Sequence, residues 1–152
     1  MPDALPPDQP HAARRRWMAV LARAGAEQLL DALGDVPEYR VLRGPEAGLV
    51  MVRGRVGGGG APFNLGEMTT TRCSVRTASG FVGHAYIAGR NERAAELAAV
   101  ADALLQDPAC QSRMLAEVIE PLAESQKARR DATAAKAAAT RVQFFAMRNM
   151  RA

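Results

Sequence analysis

The apolar and polar positions of this chain follow two different periods, which separate helical from strand-rich parts. Near the N-terminus, apolar residues recur every three to four positions over residues 11–24 and again over 26–33, which predicts two amphipathic helices. Gly25 and Gly34 directly follow these patterns and predict where the helices end. The first helix is expected to bury one face, made of Ala13, Trp17, Val20, Leu21 and Ala24.

From Tyr39 onward the period changes to two, which is typical of half-buried strands. The alternating segments predict four strands, at 39–42, 49–56, 67–77 and 81–88. Their connections are short, so the strands are expected to form an antiparallel meander over about 39–88. One face of such a sheet needs a cover, which the helices on either side can supply.

The helical period returns after the sheet. Asn91 is a suitable N-cap for a helix over 92–106, and a second helix is predicted over 111–120, with a break or kink at Pro121. The first of these helices carries a clear apolar stripe, made of Ala94, Leu97, Ala98, Ala101, Leu104 and Leu105.

The last thirty residues are alanine-rich, which predicts a long helical tail. Large apolar residues gather only at its end, so this tail is expected to dock on another subunit. The predicted fold class is α+β, with a disordered arm at 1–10, a single α+β domain at 11–121 and the helical tail at 122–152. The predicted interface residues are Trp17, Arg141, Phe144, Phe145 and Met147.

Composition and charge then narrow the function. With 152 residues, 48% of them hydrophobic, the chain is long enough to bury a core. Residues 39–90 carry seven basic and only two acidic side chains, which favours an acidic partner or a phosphorylated ligand. Arg14, Arg15 and Arg16 open the first helix against its macrodipole, which indicates either an acidic group nearby or a solvated run of charge.

Several classes of protein are disfavoured. The N-terminus has no apolar signal segment, no run approaches the ~20 apolar residues of a membrane span, and the two cysteines lie far apart. A cytoplasmic protein without disulfides or membrane contact is therefore expected. Two histidines and two cysteines lack the spacing of metal ligands, so no metal site is predicted. Nucleic-acid binding is not expected either, because the basic segment contains no recognisable binding module.

A glycine-rich loop is the first candidate for chemistry. Arg53 and Arg55 precede four consecutive glycines, Gly57, Gly58, Gly59 and Gly60, and Asn64 follows them. Glycines can adopt positive φ and let an anion approach the backbone. The loop matches neither the P-loop nor the dinucleotide-binding pattern. It is either a hairpin connection or a contact with an anion or a partner subunit.

The strand arginines are the second candidate. In the favoured register, Cys73 and Val75 share a face with Phe81, Ala85 and Ile87, while the other face carries these residues: Arg72, Arg76, His84, Tyr86 and Arg90. A slip by one residue would reverse this arrangement. The basic face is either a solvated surface or a site for a phosphorylated ligand. A nucleophilic pair of Cys73 and His84 would need the other register, and no catalytic residue is predicted.

Several segments, in order along the chain, resemble the PhnG family, whose members belong to the carbon–phosphorus lyase core complex. The resemblance extends over about residues 14–150. It rests on Arg16-Trp17-Met18, Gly48-Leu49-Val50-Met51-Val52-Arg53, the four glycines, Thr71-Arg72-Cys73, Gly83-His84, Gly89-Arg90 and Arg141-Val142-Gln143-Phe144-Phe145-Ala146-Met147.

The resemblance implies a protein that works with the H, I and J subunits of that system, and with its L subunit for activity, in bacterial phosphonate catabolism. The system converts ATP and an alkylphosphonate into α-D-ribose 1-alkylphosphonate 5-triphosphate and adenine. The family places carbon–phosphorus cleavage on the J subunit and nucleosidase-like chemistry on the I subunit. This chain would then need no cofactor of its own, with ATP a substrate of the complex.

The residues expected to contact substrate or partner are Arg53, Arg55, Gly57, Gly58, Gly59, Gly60, Asn64, Arg72, His84 and Arg90. Two alternatives stay open beside a subunit that helps to hold substrate. One is a small enzyme or binding module that handles a phosphorylated ligand alone, and the other is a pure scaffold.

Overall fold

The computed structural model of the chain describes residues 9–142 except 56 and 58, with side chains from residue 12 onward. It is a mixed α+β structure. Helices α1 (Gln9–Leu21) and α2 (Ala26–Leu33) precede strands β1 (Tyr39–Gly54), β2 (Phe63–Thr77) and β3 (Val82–Ala88). Helix α3 (Glu92–Gln106), helix α4 (Pro108–Met114), a π-helical segment (Leu115–Ile119) and helix α5 (Glu120–Ala139) complete it.

The sheet has three antiparallel strands in the order β1-β2-β3, so the prediction of four strands is wrong. The segments predicted as the first and second strands are one strand, β1. The turn expected between them is a bulge, where the pairing register shifts between Arg43 and Glu46. Gly44 has a φ of 61°, and a Cβ there would lie 2.7 Å from the backbone nitrogen of Glu46. Glycine therefore permits an irregularity that the chain passes through without reversing.

Helix α3 lies at the centre of the fold. It packs against all three strands and against α1, α2 and α4, and the predicted apolar stripe is buried. Burial extends far beyond that stripe, because α3 is enclosed by the sheet on one side and by helices on others. The predicted N-cap is confirmed, since Asn91 Oδ1 accepts a hydrogen bond of 3.0 Å from the backbone of Ala94.

Gly83 sets how closely β3 approaches α3. A Cβ at this position would overlap the carbonyl oxygen of Ala99 and lie 2.5 Å from the backbone nitrogen of Ala103. The close approach leaves no room for any side chain, so the glycine permits the strand and helix to pack backbone to backbone.

A buried carboxylate joins α1, β3 and α3. Asp102 is fully buried and accepts hydrogen bonds from the indole of Trp17 at 2.9 Å and from the backbone nitrogen of His84 at 2.9 Å. The guanidinium of Arg14 makes a bidentate contact with it at 2.7 and 3.2 Å. Gln106 Nε2 adds a contact at 3.3 Å. These donors satisfy the carboxylate, as a buried charge requires.

The arginines predicted to open the first helix have acidic partners within the chain. Besides the pair of Arg14 and Asp102, Arg16 lies 2.7 Å from Glu120 at the start of α5. The alternative of an acidic group nearby is confirmed for these two residues. Because α1 begins at Gln9, these cations lie beyond its first turn, where an unfavourable interaction with the macrodipole is weak.

The helical chain continues through Pro121 instead of separating there. A five-residue π-helical segment, Leu115–Ile119, precedes α5 and places Pro121 in the first turn of that helix. Proline is tolerated in a first turn, where its missing N–H needs no partner. Leu122 is buried in the core, and all residues of α5 from Lys127 onward are exposed. The predicted tail is described to residue 142, and its last ten residues lie outside the described part.

Candidate functional site

The exposed face of the sheet carries a grid of nine side-chain positions, which we call the basic grid. Direct pairing across the three strands arranges the grid in three rows. The rows are Arg40-Arg76-Val82, Arg43-Ser74-His84 and Glu46-Arg72-Tyr86. The predicted register is confirmed for Arg72, Arg76, His84 and Tyr86, which share this face. Phe81 and Arg90, which were predicted to lie on the faces of the sheet, lie outside β3. Cys73 and Val75 lie on the buried face.

Two arginines of the grid, one from the middle row and one from the last, share the carboxylate of Glu46. Glu46 Oε1 lies 2.8 Å from Arg43 Nε and 2.8 Å from Arg72 Nε. The hydrogen bond from Arg43 lowers the pKa of Glu46, and the charges of Arg43 and Arg72 lower it further. The bulge in β1 makes this cluster possible, because it brings Arg43 and Glu46 to the same face three positions apart.

The first row holds two arginines without a counter-ion. Arg40 and Arg76 are directly paired across β1 and β2, and neither guanidinium has an ion pair with any residue that the structure describes. Like charges at directly opposed positions destabilise a sheet. A cavity of about 240 Å³ lies beside them and is also lined by Glu38, Tyr39, Thr77 and Ala78.

His84 lies in the middle row, where its Nδ1 is 2.8 Å from Ser74 Oγ. A second cavity, of about 170 Å³, is lined by His84 and Ser74 together with Arg43, Arg72, Tyr86 and Met18. Since α3 holds the backbone of His84 through Asp102, the histidine has a fixed place at this cavity. The arrangement can bind an anion through guanidinium, imidazole and hydroxyl groups.

Cys73 cannot act as a nucleophile with His84. Its side chain is buried on the opposite face, paired with Ala85. Burial, together with the charge of Glu96, raises the pKa of the Cys73 thiol to about 11, so the thiol stays protonated at neutral pH. The pair of Cys73 and His84 would also need the alternative register of the strands, which the observed pairing excludes.

The glycine loop lies at the tip of a long hairpin, far from the basic grid. Strand β3 pairs with β2 only between Thr70 and Arg76, so β1 and β2 continue beyond it as a two-stranded ribbon, residues 49–54 and 63–68. Arg53 pairs with Asn64 near the tip. Asn64 is eight positions along β2 from Arg72, a separation of roughly 25 Å at strand spacing.

The predicted contact residues therefore fall into separate groups. Those at the ribbon tip are exposed, namely Arg53, Arg55, Gly57, Gly59, Gly60 and Asn64, while Gly58 lies outside the described residues. Arg72 and His84 lie together on the grid. Arg90 is exposed in the turn after β3, and Gly89 before it has a φ of 85°.

The predicted interface residues have different surroundings. Trp17 is 5% exposed and belongs to the core of this chain, where it bonds to Asp102. Arg141 is exposed beyond α5. Phe144, Phe145 and Met147 lie outside the described residues.

Sequence patterns did not identify three grid or core residues as part of the site: Arg40, Arg43 and Asp102. Arg43 was missed because the first strand was predicted to end at residue 42, before a turn. The bulge instead keeps Arg43 in β1, where it pairs with Ser74 of β2. Asp102 did carry a signal. It lies four positions after Ala98 on the buried stripe of α3, where a carboxylate requires a buried partner.

Membrane spans and metal clusters are both absent from the described part of the chain. No helix there is long and apolar enough to cross a membrane. Within residues 9–142, less the two gaps, no group of three or more His, Cys, Asp or Glu side chains could hold a metal ion.

Comparison with known proteins adds a family match to this geometry. The model of the family described as "Phosphonate metabolism protein PhnG" matches residues 12–149. A protein of Rhizobium meliloti (strain 1021), the alpha-D-ribose 1-methylphosphonate 5-triphosphate synthase subunit PhnG, is 48% identical over 143 residues. The alignment covers 90% of this chain and 88% of the relative.

Proposed function

Because the chain belongs to the PhnG family of phosphonate metabolism proteins, we propose that it is an obligate subunit of an α-D-ribose 1-alkylphosphonate 5-triphosphate synthase. The complex, a transferase, takes ATP and an alkylphosphonate as substrates and releases adenine. This chain assembles the complex and contributes its basic grid to it, but does not catalyse the reaction alone.

The ribbon carries this proposal on the structural side. Its apolar side chains are exposed on a hairpin that no described helix covers: Leu49, Met51, Val52, Phe63, Leu65 and Met68. Leu49 is 64% exposed and Leu65 is 50% exposed. A two-stranded ribbon is only marginally stable by itself, and a group of large apolar side chains exposed on it marks an interaction site. Obligate subunits bury such surfaces against each other.

The proposed partners are the H, I and J subunits of the carbon–phosphorus lyase system, with its L subunit required for activity. The assembly is a cytoplasmic hetero-oligomer, and its nucleotide is a substrate and not a cofactor of this chain. The segment 141–147 is a second proposed contact with a partner, since it combines Arg141 with two adjacent phenylalanines.

A small enzyme that acts alone on a phosphorylated ligand is the competing function. The basic grid favours it, because the grid could bind phosphate. The protonated thiol of Cys73 and its position on the opposite face of the sheet argue against nucleophilic catalysis with His84. A scaffold with no contact to substrate is the third function.

Co-expression with tagged H, I and J subunits, followed by affinity purification, tests the proposal. The wild-type chain is expected to co-purify, and Leu49→Ser/Leu65→Ser in the ribbon is expected to lower its recovery at least tenfold. Leu30→Ser/Leu42→Ser is the control, because both leucines are also exposed, at 44% and 41%, but lie outside the ribbon. A wild-type chain that stays monomeric and turns over nucleotide alone would rule out the subunit role.

A further inference from the structure

The row of Arg40 and Arg76 is the least compensated part of the basic grid. The two residues are directly paired across β1 and β2, and both side chains are exposed and form no ion pair with any described residue. Glu38 lines the same cavity but forms no ion pair with either of them among the described residues. Positive charges on directly paired residues repel each other, and an anion bound between them would offset this repulsion.

The rest of the grid continues the same chemistry. Arg76 and Arg72 lie on the same face of β2, four positions apart, which corresponds to about 13 Å. The cavity of about 240 Å³ lies beside Arg76, and the cavity of about 170 Å³ lies beside Arg72 and is also lined by Ser74 and His84. Of the nine grid positions, only Glu46 is acidic, and two arginines already neutralise it.

We propose that the basic grid is a binding site for a small molecule that carries two or more phosphate groups, with Arg40 and Arg76 clamping one group. Guanidinium groups suit this ligand because each presents a planar fork of donors to a pair of phosphate oxygens. The second cavity, with Arg43, Arg72 and His84, takes the other end of the ligand. This inference rests on the proposed function, in which the complex handles a triphosphate, and extends it to named residues of this chain.

Two separate open recesses beside different rows of the grid favour a small ligand with two anionic groups over an acidic protein surface. A flat acidic surface would pair with arginines spread evenly over the face and would not need such recesses. The ribbon tip also carries two arginines, Arg53 and Arg55. Among the described residues, neither is paired with another arginine across the strands. The tip therefore serves as an internal comparison with equal charge and different geometry.

Calorimetric titration of the full chain with inorganic tripolyphosphate tests the inference. We expect saturable binding to the wild-type protein, and a loss of affinity of at least tenfold in Arg40→Gln/Arg76→Gln. Arg53→Gln/Arg55→Gln removes the same charge at the ribbon tip and is expected to change the affinity less than threefold. Arg76→Lys retains the charge, loses the fork and should fold, and an intermediate loss of about threefold is expected.

Three outcomes would overturn the inference. The first is no binding of tripolyphosphate at millimolar concentration. The second is an equal loss of affinity in the grid and tip variants, which would indicate diffuse charge attraction. The third is unchanged tripolyphosphate binding by Arg40→Gln/Arg76→Gln together with lost co-purification, which would assign the grid to an acidic protein. A wild-type chain that co-purifies with the partner subunits but binds no tripolyphosphate refutes this inference and leaves the subunit role intact.

Discussion

The two parts of the β1–β2 hairpin belong to the same pair of strands but have different surroundings. In the body of the fold, where β1 runs from Tyr39 to Gly48, the inner face of β2 is buried under α3 and the outer face of the two strands carries the basic grid. In the ribbon, between Leu49 and Gly54, apolar side chains are exposed instead. Strand β2 thus passes from a part that α3 covers, at residues 70–77, to a part that no described helix covers, at residues 63–68.

The body of the fold therefore stabilises the chain, whereas the ribbon is the part available for contact with other subunits. The body contains the packed core and the network around Asp102. The ribbon adds backbone hydrogen bonds between two strands and little burial, so its apolar residues contribute little to folding. Substitutions should therefore act on stability in the body and on assembly in the ribbon.

Asp102→Ala in the body should have the largest effect. It leaves the charge of Arg14 without its partner and removes the acceptor for Trp17 and for the backbone of His84. We expect the free energy of unfolding in urea to fall by about 3–5 kcal/mol. Glu124→Ala, on the exposed side of α5, is the control and should change it by less than about 0.5 kcal/mol. Equal small losses in both variants would contradict the central role of Asp102.

Gly83→Ala should have the next largest effect, because the new methyl group meets the backbone of α3. The expected loss is about 1–3 kcal/mol in the same unfolding measurement. Gly48→Ala is the matched control. A Cβ there has no heavy atom within 4 Å, so that variant should be nearly neutral. A neutral Gly83→Ala would mean that β3 and α3 are not packed as closely as described.

Alkaline pH should weaken the body through Cys73. The pKa of its thiol is about 11 in the folded chain, raised by burial from 9.0, so the folded state retains the proton longer. The stabilisation is present below pH 9 and is lost as the pH rises from 9 towards 11, by up to about 2 kcal/mol. Urea unfolding at pH 8 and pH 10.5 measures this change.

Cys73→Ala should reduce that dependence on pH, whereas Cys110→Ala, at a half-buried site, serves as the control. Part of the dependence of the unfolding free energy on pH should remain, because burial and the hydrogen bond to Glu96 also raise the pKa of Tyr39. An identical slope in wild-type and Cys73→Ala proteins would show that the thiol does not titrate in this range.

Leu49→Ser/Leu65→Ser in the ribbon should have the smallest effect on stability. Both side chains are at least half exposed, so we expect the free energy of unfolding to change by no more than about 0.5 kcal/mol. The same variant is the one expected to lose its partners. A loss of several kcal/mol in the isolated chain would break the distinction between the body and the ribbon.

Much of the local structure followed from periodicity. Helices α2 and α3 begin and end at the predicted residues, and Asn91 caps α3 as expected. Alternation also placed Arg72, Arg76, His84 and Tyr86 on one face. These features depend on residues close together in the chain, so a local pattern was sufficient to find them.

The predictions were wrong where the same residues are compatible with two different backbone structures. Gly44 and Pro45 are typical of a turn, but pairing of β1 with β2 on both sides of them outweighed that preference and made a bulge. Pro121 is a helix breaker, but the π-helical segment before it places it in a first turn. In the first case pairing with another strand decided between the alternatives, and in the second the backbone geometry of the preceding segment did.

Patterns along the chain were enough to predict the α+β class, the boundaries of α2 and α3, and a basic face of the sheet. Which charges meet depended on how the elements pack. Packing paired Arg14 with Asp102, 88 positions away, placed Arg40 directly opposite Arg76 in the sheet, and separated the glycine loop from His84. Charge pairing depends on distances between residues far apart in the chain. Periodicity reports only the face on which each residue lies.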